Sequence, residues 1–155
     1  MLPTIFRRAE RLFGEKSLVT AAAGGPERVS YADWAARTRK LGGALDQLGV
    51  SPDGRVGTFS WNSTTHLELY FAVPCTGRVL HTLNIRLFPE QLTYIVNHAE
   101  DEVIFVDRSI AALLWPLIPS FSTVKHIVVM DDGSGEVPDT TVGPAVHDYE
   151  ELLAA

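Results

Sequence analysis

Apolar residues recur along the chain at two spacings, and these spacings predict a regular alternation of helices and strands. A long amphipathic helix is predicted where apolar positions follow one another at intervals of four and three residues: Trp34, Thr38, Leu41, Leu45 and Leu48. Ser30 stands at the expected N-cap, with Asp33 near the positive end of the helix. Gly49 stands at the expected left-handed stop, so the helix is bounded at both ends.

Four further helices are predicted from the same spacing and from end signals. They are Pro3–Phe13 before Gly14, a segment capped by Asn62 or Ser63 and interrupted by Pro74 and Gly77, Pro89 to about His98, and a segment from a cap at Asp107 or Ser109 to Leu114. Strands are predicted between them at Arg55–Trp61, Arg78–Thr82, Glu102–Val106 and Val124–Met130. Ser17–Ala22 and Arg28–Ser30 flank a turn-rich segment and predict a hairpin.

Strands that are separated by helices of ten to fifteen residues pair in parallel through crossover connections. The predicted fold class is therefore α/β, with a mostly parallel sheet flanked by helices. Residues 1–130 are expected to form this α/β subdomain. Residues 131–155 are expected to form an acidic linker that ends in a short helical turn at Tyr149–Leu153.

Charge is distributed unevenly between these two parts. The chain has 155 residues and a net charge of -6. Residues 1–130 hold all 13 Lys and Arg, whereas residues 131–155 hold seven of the 19 acidic residues and no basic one. Nucleic acids and anionic membranes are bound through cationic clusters, so the acidic segment is not expected to bind either.

Cysteine usage and hydropathy point to the cytoplasm. The single cysteine, Cys75, has no partner for a disulfide and lies among small and apolar neighbours, so we expect a small buried side chain in a reducing compartment rather than a nucleophile. No apolar run reaches the roughly 18 residues that a membrane span needs, and Met1–Phe13 lacks a signal-type apolar stretch.

Two segments carry a family resemblance: Val29–Val50 (VSYADWAARTRKLGGALDQLGV) and Arg55–Asp107, which contains GRVLHTLNIRLFPEQLTYIVNHAEDEVIFVD from Gly77 onward. They resemble the N-terminal region of the adenylate-forming (AMP-binding) enzymes, specifically the fatty-acid-CoA ligases or acyl-CoA synthetases. The resemblance extends from about Leu12 to Leu153 and is strongest over Gly77–Asp107. It implies an ATP-dependent conversion of a fatty acid to acyl-AMP and then to acyl-CoA. ATP, Mg²⁺ and CoA are implied for the complete enzyme.

The residues needed to hold a triphosphate are not found in this sequence. Such a site needs backbone amides from a glycine-rich loop together with a lysine, and none of Lys16, Lys40 and Lys125 follows such a loop. Gly24-Gly25 precedes Pro26 and Glu27, and Gly133-Ser134-Gly135 lies among acidic residues, so both are read as turns. In the resembled family, the phosphate loop and the C-terminal domain come later than the matching region. We therefore assign no catalytic, cofactor-binding or metal residue, and expect the chain alone to bind no cofactor and to lack ligase activity.

Three polar residues lie at and just after the end of the second predicted strand of the sheet: His81, Asn84 and Arg86. These three residues are the candidates for a position near the acyl substrate or CoA in a complete enzyme. The alternative is that they form hydrogen bonds that fix the turn. Two nearby residues depart from the family pattern: Ile85 replaces a proline, and Arg78 replaces a small residue, so its side chain is expected to reach solvent or to loosen the packing.

Two other polar groups are not read as sites. His98, Glu100 and Asp101 match no standard metal-ligand spacing and fit a helix end before a strand. His66 and Glu68 are two residues apart on a predicted helix and do not share a face.

The sequence is also compatible with a second function, namely a non-catalytic interaction module. Most of the aromatic residues fall on predicted inner faces, and some are expected to face a further part of a synthetase: Tyr31, Trp34, Trp61, Tyr70, Phe71, Tyr94 and Trp115. Such a module would form a homodimer or bind another synthetase or a separately encoded remainder.

Overall fold

The computed structural model describes residues 1–22, 24–138 and 143–155. In chain order, the elements are α1 (Leu2–Phe13), β1 (Ser17–Ala22), β2 (Gly25–Ser30), α2 (Tyr31–Gln47), β3 (Arg55–Phe59), α3 (Thr64–Cys75), β4 (Val79–Thr82), α4 (Pro89–Ala99), β5 (Asp101–Asp107), α5 (Ala111–Leu114), β6 (His126–Met130), β7 (Ala145–Asp148) and α6 (Tyr149–Ala154). Two 3₁₀ turns, Arg108–Ile110 and Trp115–Ser120, flank α5.

Five strands form one parallel sheet in the order β4-β3-β5-β6-β7. The α/β prediction is confirmed. The first two strands form a separate antiparallel hairpin, in which Ser17 pairs with Ser30 and Ala22 pairs with Gly25. The predicted hairpin is therefore present, although its second strand begins three residues earlier than expected.

Helix ends follow the local chemistry of the sequence. The Ser30 hydroxyl accepts a hydrogen bond from the backbone N–H of Asp33, and the Ser63 hydroxyl accepts one from the N–H of His66. Gly49 has a positive φ of 69°, as the stop after α2 requires. One end signal was misread, because α3 continues through Pro74 to Cys75 before Gly77 adopts a positive φ.

Each face of the sheet carries a hydrophobic core. One face packs against α4, α5 and the 3₁₀ turns, with a core that includes Phe59, Leu92, Val96, Ile104, Leu114 and Ile127. The opposite face packs against α2, α3 and α6, with a core that includes Leu41, Leu45, Val56, Leu69, Phe105 and Tyr149. These layers explain why β5 is buried along most of its length and reads as a continuous apolar run.

A third, smaller cluster attaches α1 to the domain. The ring of Phe6 packs against Trp34 at 5.1 Å between centroids, and Trp34 packs edge-on against Phe71 at 4.9 Å. Trp34 and Trp115 are buried as expected, whereas Trp61, Tyr70 and Tyr94 are exposed.

The sheet has one strand more than predicted. Residues 145–148, which had been assigned to the linker, form β7 at the sheet edge, where the Ala145 N–H donates to the Lys125 carbonyl. The following helix α6 buries Tyr149 and Leu153 in the core. The expectation of an unstructured link up to a short helical turn was therefore wrong for residues 145–148, because backbone pairing rather than an apolar pattern forms this strand. The domain boundary at residue 130 stays a prediction.

Candidate functional site

The chain reverses its direction of winding between β3 and β5. From β3 the chain crosses through α3 to β4 on one side, and β5 lies on the other side of β3. In open α/β sheets, ligands bind in the crevice outside the carboxyl ends of strands at such a switch point. The segments that follow β3, β5 and β6 therefore define the first place to look for a site.

Asp107 ends β5 and organises this edge of the sheet. Its buried carboxylate accepts hydrogen bonds from the backbone N–H of Trp61 at 2.6 Å and from the Ser60 hydroxyl at 2.8 Å. Burial raises the pKa of Asp107 above its ordinary value, and the two hydrogen bonds oppose this rise. Asp107 was predicted as a helix cap, but its side chain makes no cap hydrogen bond and instead fixes the loop after β3.

Further side-chain bonds connect the three loops at this edge. The indole N–H of Trp61 donates to the Ser109 hydroxyl at 3.2 Å, and the backbone N–H of Ser109 donates to the Asp132 carboxylate at 3.0 Å. The predicted capping role of Ser109 is therefore also wrong. The loops after β3, β5 and β6 form one connected unit.

A crevice of 540 Å³ lies between these loops and the β1–β2 hairpin. We call it the carboxyl-edge crevice; its lining includes Thr20, Glu27, Trp61, Asn62, Asp107, Asp131 and Asp132. Four of these residues are acidic, and none of the described residues that line the crevice is a lysine or an arginine. A triphosphate carries several negative charges and needs cations and amide donors around it, so the lining of this crevice does not fit one.

Gly24 lies in the turn of the hairpin, as predicted, whereas Gly25 already belongs to β2 and Gly133 lies in a bend after β6. The backbone N–H of Gly133 donates to the Asp131 carboxylate at 2.7 Å. Gly135 has a φ of 81°, and a Cβ at this position would lie 2.7 Å from the carbonyl oxygen of Arg108, so this backbone is packed against the chain rather than open to a phosphate. Gly25 likewise has a positive φ and begins β2.

Two of the lysines contact other side chains and do not line the carboxyl-edge crevice. The ammonium of Lys125 pairs with Glu102 at 3.1 Å, and Lys16 lies over the ring of Phe13. Among residues 1–22, 24–138 and 143–155, no group of three or more His, Cys, Asp or Glu side chains is arranged to hold a metal ion. The triphosphate of ATP therefore finds no lysine or arginine among the described residues that line the crevice.

Of the three candidate substrate-proximal residues, His81 contacts Asp101, whereas Asn84 and Arg86 contact each other. The imidazole of His81 bonds through Nδ1 to the buried carboxylate of Asp101 at 2.9 Å. The side-chain oxygen of Asn84 accepts the backbone N–H of Arg86 at 3.0 Å, and both residues are exposed. These are the turn-fixing contacts of the structural alternative, and a role near the substrate stays a prediction.

Arg78 does not reach solvent, so the first of the two expected alternatives was wrong, and looser packing stays a prediction. The guanidinium is buried; it donates to the Val50 carbonyl through Nε at 3.2 Å and through one terminal nitrogen at 2.9 Å. That nitrogen also pairs with Asp46 at 2.7 Å. The end of α2 and the segment after it supply these acceptors, so a charged side chain can occupy a place where the family has a small one.

Sequence reasoning missed a buried ionic network between α2, α3 and α6. Arg37 pairs with Glu68 at 2.7 Å and with the exposed Glu150 at 2.6 Å, and the Tyr149 hydroxyl donates to Glu68. Burial raises the pKa of Glu68, which the donors from Arg37 and Tyr149 oppose. A glutamate inside the apolar run of α3 was the available signal. The network fastens α6 to the two helices.

A pair of histidines on β6 and β7 was also missed. Nδ1 of His126 lies 3.0 Å from Nε2 of His147. Burial, with a smaller effect of His147, lowers the pKa of His126. The two rings can share a hydrogen bond only when at least one facing nitrogen is unprotonated.

Comparison with solved structures establishes the fold. A crystal structure of an anthranilate CoA ligase in complex with anthranoyl-AMP superposes with a TM-score of 0.83 at 19% sequence identity. The match covers 99% of this chain and 27% of that one. At this identity, the likeness establishes the fold.

Sequence relatives establish the family. The 3-methylmercaptopropionyl-CoA ligase of Ruegeria lacuscaerulensis is 36% identical over 154 residues, which are 99% of this chain and 28% of the relative. The long-chain-fatty-acid–CoA ligase of Thermus thermophilus is 45% identical over 130 residues, which are 83% of this chain and 24% of the relative. The pattern of the AMP-binding enzymes matches residues 6–152. The chain belongs to the AMP-binding enzyme family.

In the relatives, the matched region is one part of a longer protein. The chain spans about a quarter of the length of the relatives it matches, 24% to 28% in the two cases above. Within the described residues, no helix combines the length and the apolar character needed to cross a bilayer.

Proposed function

We propose that this chain is the N-terminal portion of a fatty-acid-CoA ligase. The complete enzyme joins a fatty acid carboxylate to the AMP moiety of ATP with release of pyrophosphate, and CoA then displaces AMP to give acyl-CoA. The observation that carries the proposal is the family match over residues 6–152. The 45% identity to a long-chain-fatty-acid–CoA ligase supports a fatty acid as the substrate. We propose that this chain alone binds none of ATP, Mg²⁺ and CoA, which the complete enzyme would use.

We further propose that the 155-residue chain has no ligase activity by itself. The acidic carboxyl-edge crevice supports this proposal, because Asp107 and Asp132 would repel the phosphates of ATP, while Asp131 is already paired with Arg108 at 2.6 Å. The free thiol of Cys75 fits action in the reducing cytoplasm.

A chimera tests the family role directly. The N-terminal quarter of the Thermus thermophilus ligase would be replaced by this chain, and fatty-acid-dependent pyrophosphate release would be measured for the chimera and for the isolated chain. We expect turnover from the chimera and none from the isolated chain. A folded chimera without turnover would contradict the ligase role, and turnover by the isolated chain would contradict the claim that it is inactive alone.

His81, Asn84 and Arg86 are proposed to lie near the acyl or CoA group in the complete enzyme. Asn84 and Arg86 are exposed just beyond the carboxyl end of β4, a position from which they can reach a ligand held by another part of the protein. In the chimera, Asn84→Ala and Arg86→Ala would raise KM for one substrate, and Arg86→Ala would leave the melting temperature of the isolated domain unchanged. Unchanged KM values for ATP, CoA and fatty acid would leave Asn84 and Arg86 with a structural role only.

An interaction module is the second candidate function, and one surface favours it. Phe88, directly before α4, and Tyr94 on α4 are 71% and 64% exposed. Tyr94 lines an apolar groove of 380 Å³ together with Leu87 and Ile95. Exposed apolar surface of this kind usually marks a contact with another chain or domain. We propose that this face contacts a second copy of the chain or the remainder of a synthetase.

Light scattering distinguishes the two functions. A homodimer that becomes a monomer in Phe88→Ser/Tyr94→Ser would support the interaction module. A control pair at exposed positions elsewhere, Val19→Ser/Val146→Ser, should leave the mass unchanged. A monomer that does not bind the separately expressed remainder of a ligase would contradict this second function.

A further inference from the structure

Helix α1 presents a face that the domain does not cover. Its inner side is fixed by Phe6, which is buried against Trp34 and Phe71. Its outer side carries Ile5 and Leu12, which are 54% and 49% exposed. The helix is therefore held rigidly while part of its apolar surface faces outward.

Arginines stand beside these apolar side chains. Arg8 is three residues after Ile5 and four before Leu12, so all three lie on one side of the helix. Arg11 follows Arg8 by three residues and Arg7 by four, which makes the three arginines neighbours along the helix surface. All three are exposed.

The charge of this surface is positive after its ion pairs are counted. The one acidic residue of α1, Glu10, pairs with Arg39 from α2, and these residues adjoin Arg7, Arg8 and Arg11 in a surface depression of 790 Å³. Within the described residues, neither Arg8 nor Arg11 forms an ion pair. Two guanidinium groups at least are therefore available to an anionic partner.

We propose that the outer face of α1 docks on an anionic membrane surface. We define this face by Ile5, Arg7, Arg8, Arg11 and Leu12. Arginines would contact lipid phosphates, and the neighbouring apolar side chains would enter the boundary between headgroups and acyl chains. The inference concerns peripheral attachment and does not depend on the proposed ligase activity.

The mixture of groups favours a lipid surface over other polyanions. Polyglutamate or a nucleic acid backbone would be met by arginines alone and would leave Ile5 and Leu12 in water. A bilayer accommodates both kinds of side chain in one plane, and each basic residue near an anionic surface strengthens attachment by about fivefold. The attraction is screened over about 8 Å at physiological salt, so it acts on residues that lie at the surface.

Vesicle co-sedimentation of the full chain tests the proposal. Vesicles of phosphatidylcholine with phosphatidylglycerol at about a third of the lipid would be compared with phosphatidylcholine alone, at low and high salt. We expect binding to the anionic vesicles only, and loss of that binding at high salt. Arg8→Gln/Arg11→Gln should lower the partition coefficient roughly 30-fold, and Ile5→Ser/Leu12→Ser should lower it about tenfold or more.

A matched pair of substitutions separates a local site from general charge. Arg28→Gln/Lys40→Gln removes the same charge at exposed positions outside α1 and should leave vesicle binding unchanged. Equal loss in this control, equal binding to neutral vesicles, no binding to either, or binding to polyglutamate or DNA in place of vesicles would each overturn the proposal. Circular dichroism melts of the arginine and lysine variants should coincide with that of the wild type, because these side chains are exposed, and Ile5→Ser/Leu12→Ser should remain folded at the temperature of the assay.

Discussion

His81 and Asp101 meet across a strand to which neither belongs. His81 lies on β4, Asp101 begins β5, and β3 runs between them, yet Nδ1 of His81 is 2.9 Å from the Asp101 carboxylate. Gly57 of β3 pairs in register with His81, and a Cβ at Gly57 would lie 3.2 Å from the same carboxylate. Because Gly57 has no side chain, the two side chains of this ion pair can meet over β3.

Replacing Gly57 should therefore destabilise the domain. In Gly57→Ala the new methyl group would also lie 3.1 Å from the buried Ile104, and neither neighbour can move freely because both are fully buried. We expect a loss of about 1 kcal/mol in the free energy of unfolding, measured by urea denaturation.

Gly43 supplies the matched control for this substitution. It lies in α2, and a methyl group added there would meet no atom within 4 Å, so Gly43→Ala should stabilise the domain by about 0.5 to 1 kcal/mol. If Gly57→Ala stabilised the domain to the same extent, the strand would have room for a side chain beneath the ion pair.

The same ion pair makes stability depend on pH. The hydrogen bond to Asp101 raises the pKa of His81 above its unfolded value of about 6.5. The folded chain then binds more protons than the unfolded chain, so the contribution of His81 is complete below pH 6.5 and is lost as pH rises through the folded pKa. Urea unfolding from pH 5.5 to 8.5 should show this loss in the wild type and less of it in His81→Asn.

His98 is the control histidine for this measurement. It is exposed and stacks on Tyr94, so His98→Asn should keep the slope of the wild type. An identical slope in wild type and His81→Asn would show that the pair with Asp101 carries no pH-dependent stability.

The sequence predicted the elements whose signals are local. The apolar spacing of α2 and its serine cap lie within one stretch of chain, and the structure reproduces both. The four apolar strands of the sheet were likewise predicted from their own residues. β7 could not be predicted in this way, because its four residues show no alternating burial and the strand exists through backbone pairing with β6.

Side-chain roles that depend on distant partners were beyond the sequence. Asp107 has the spacing of a helix cap, but its partner, the N–H of Trp61, lies 46 residues earlier. Arg78 looks like a side chain that must reach solvent, but the carbonyl of Val50 and the carboxylate of Asp46 receive it inside the fold. Only the three-dimensional arrangement brings such groups together.

The histidine pair at the sheet edge predicts a pH response of opposite sign. Burial and the neighbouring His147 lower the pKa of His126, so the unfolded chain binds more protons near pH 6. The stability that the pair contributes is present above pH 6.5 and is lost as pH falls through the folded pKa. Wild type should therefore lose more stability than His126→Gln between pH 6.5 and 5, by urea unfolding.

A second histidine shares this direction and must be separated from the pair. Burial also lowers the pKa of His66, which bonds to the Trp61 carbonyl and to Thr58. The comparison is therefore the difference between wild type and His126→Gln, in which the contribution of His66 cancels. If the difference in the free energy of unfolding between wild type and His126→Gln stayed constant from pH 6.5 to 5, the pair would contribute no pH-dependent stability.

The Glu68 network predicts that one hydroxyl holds α6 in place. Tyr149→Phe keeps the buried ring but removes the donor to the Glu68 carboxylate, so the free energy of unfolding should fall by about 2 kcal/mol, measured by urea denaturation. Glu150→Gln is the control, because it weakens only the exposed pair with Arg37 and should cost less than about 1 kcal/mol. If the two variants lost equal stability, the buried carboxylate would be satisfied by Arg37 alone, and α6 would be held by the packing of Tyr149 and Leu153 rather than by this hydrogen bond.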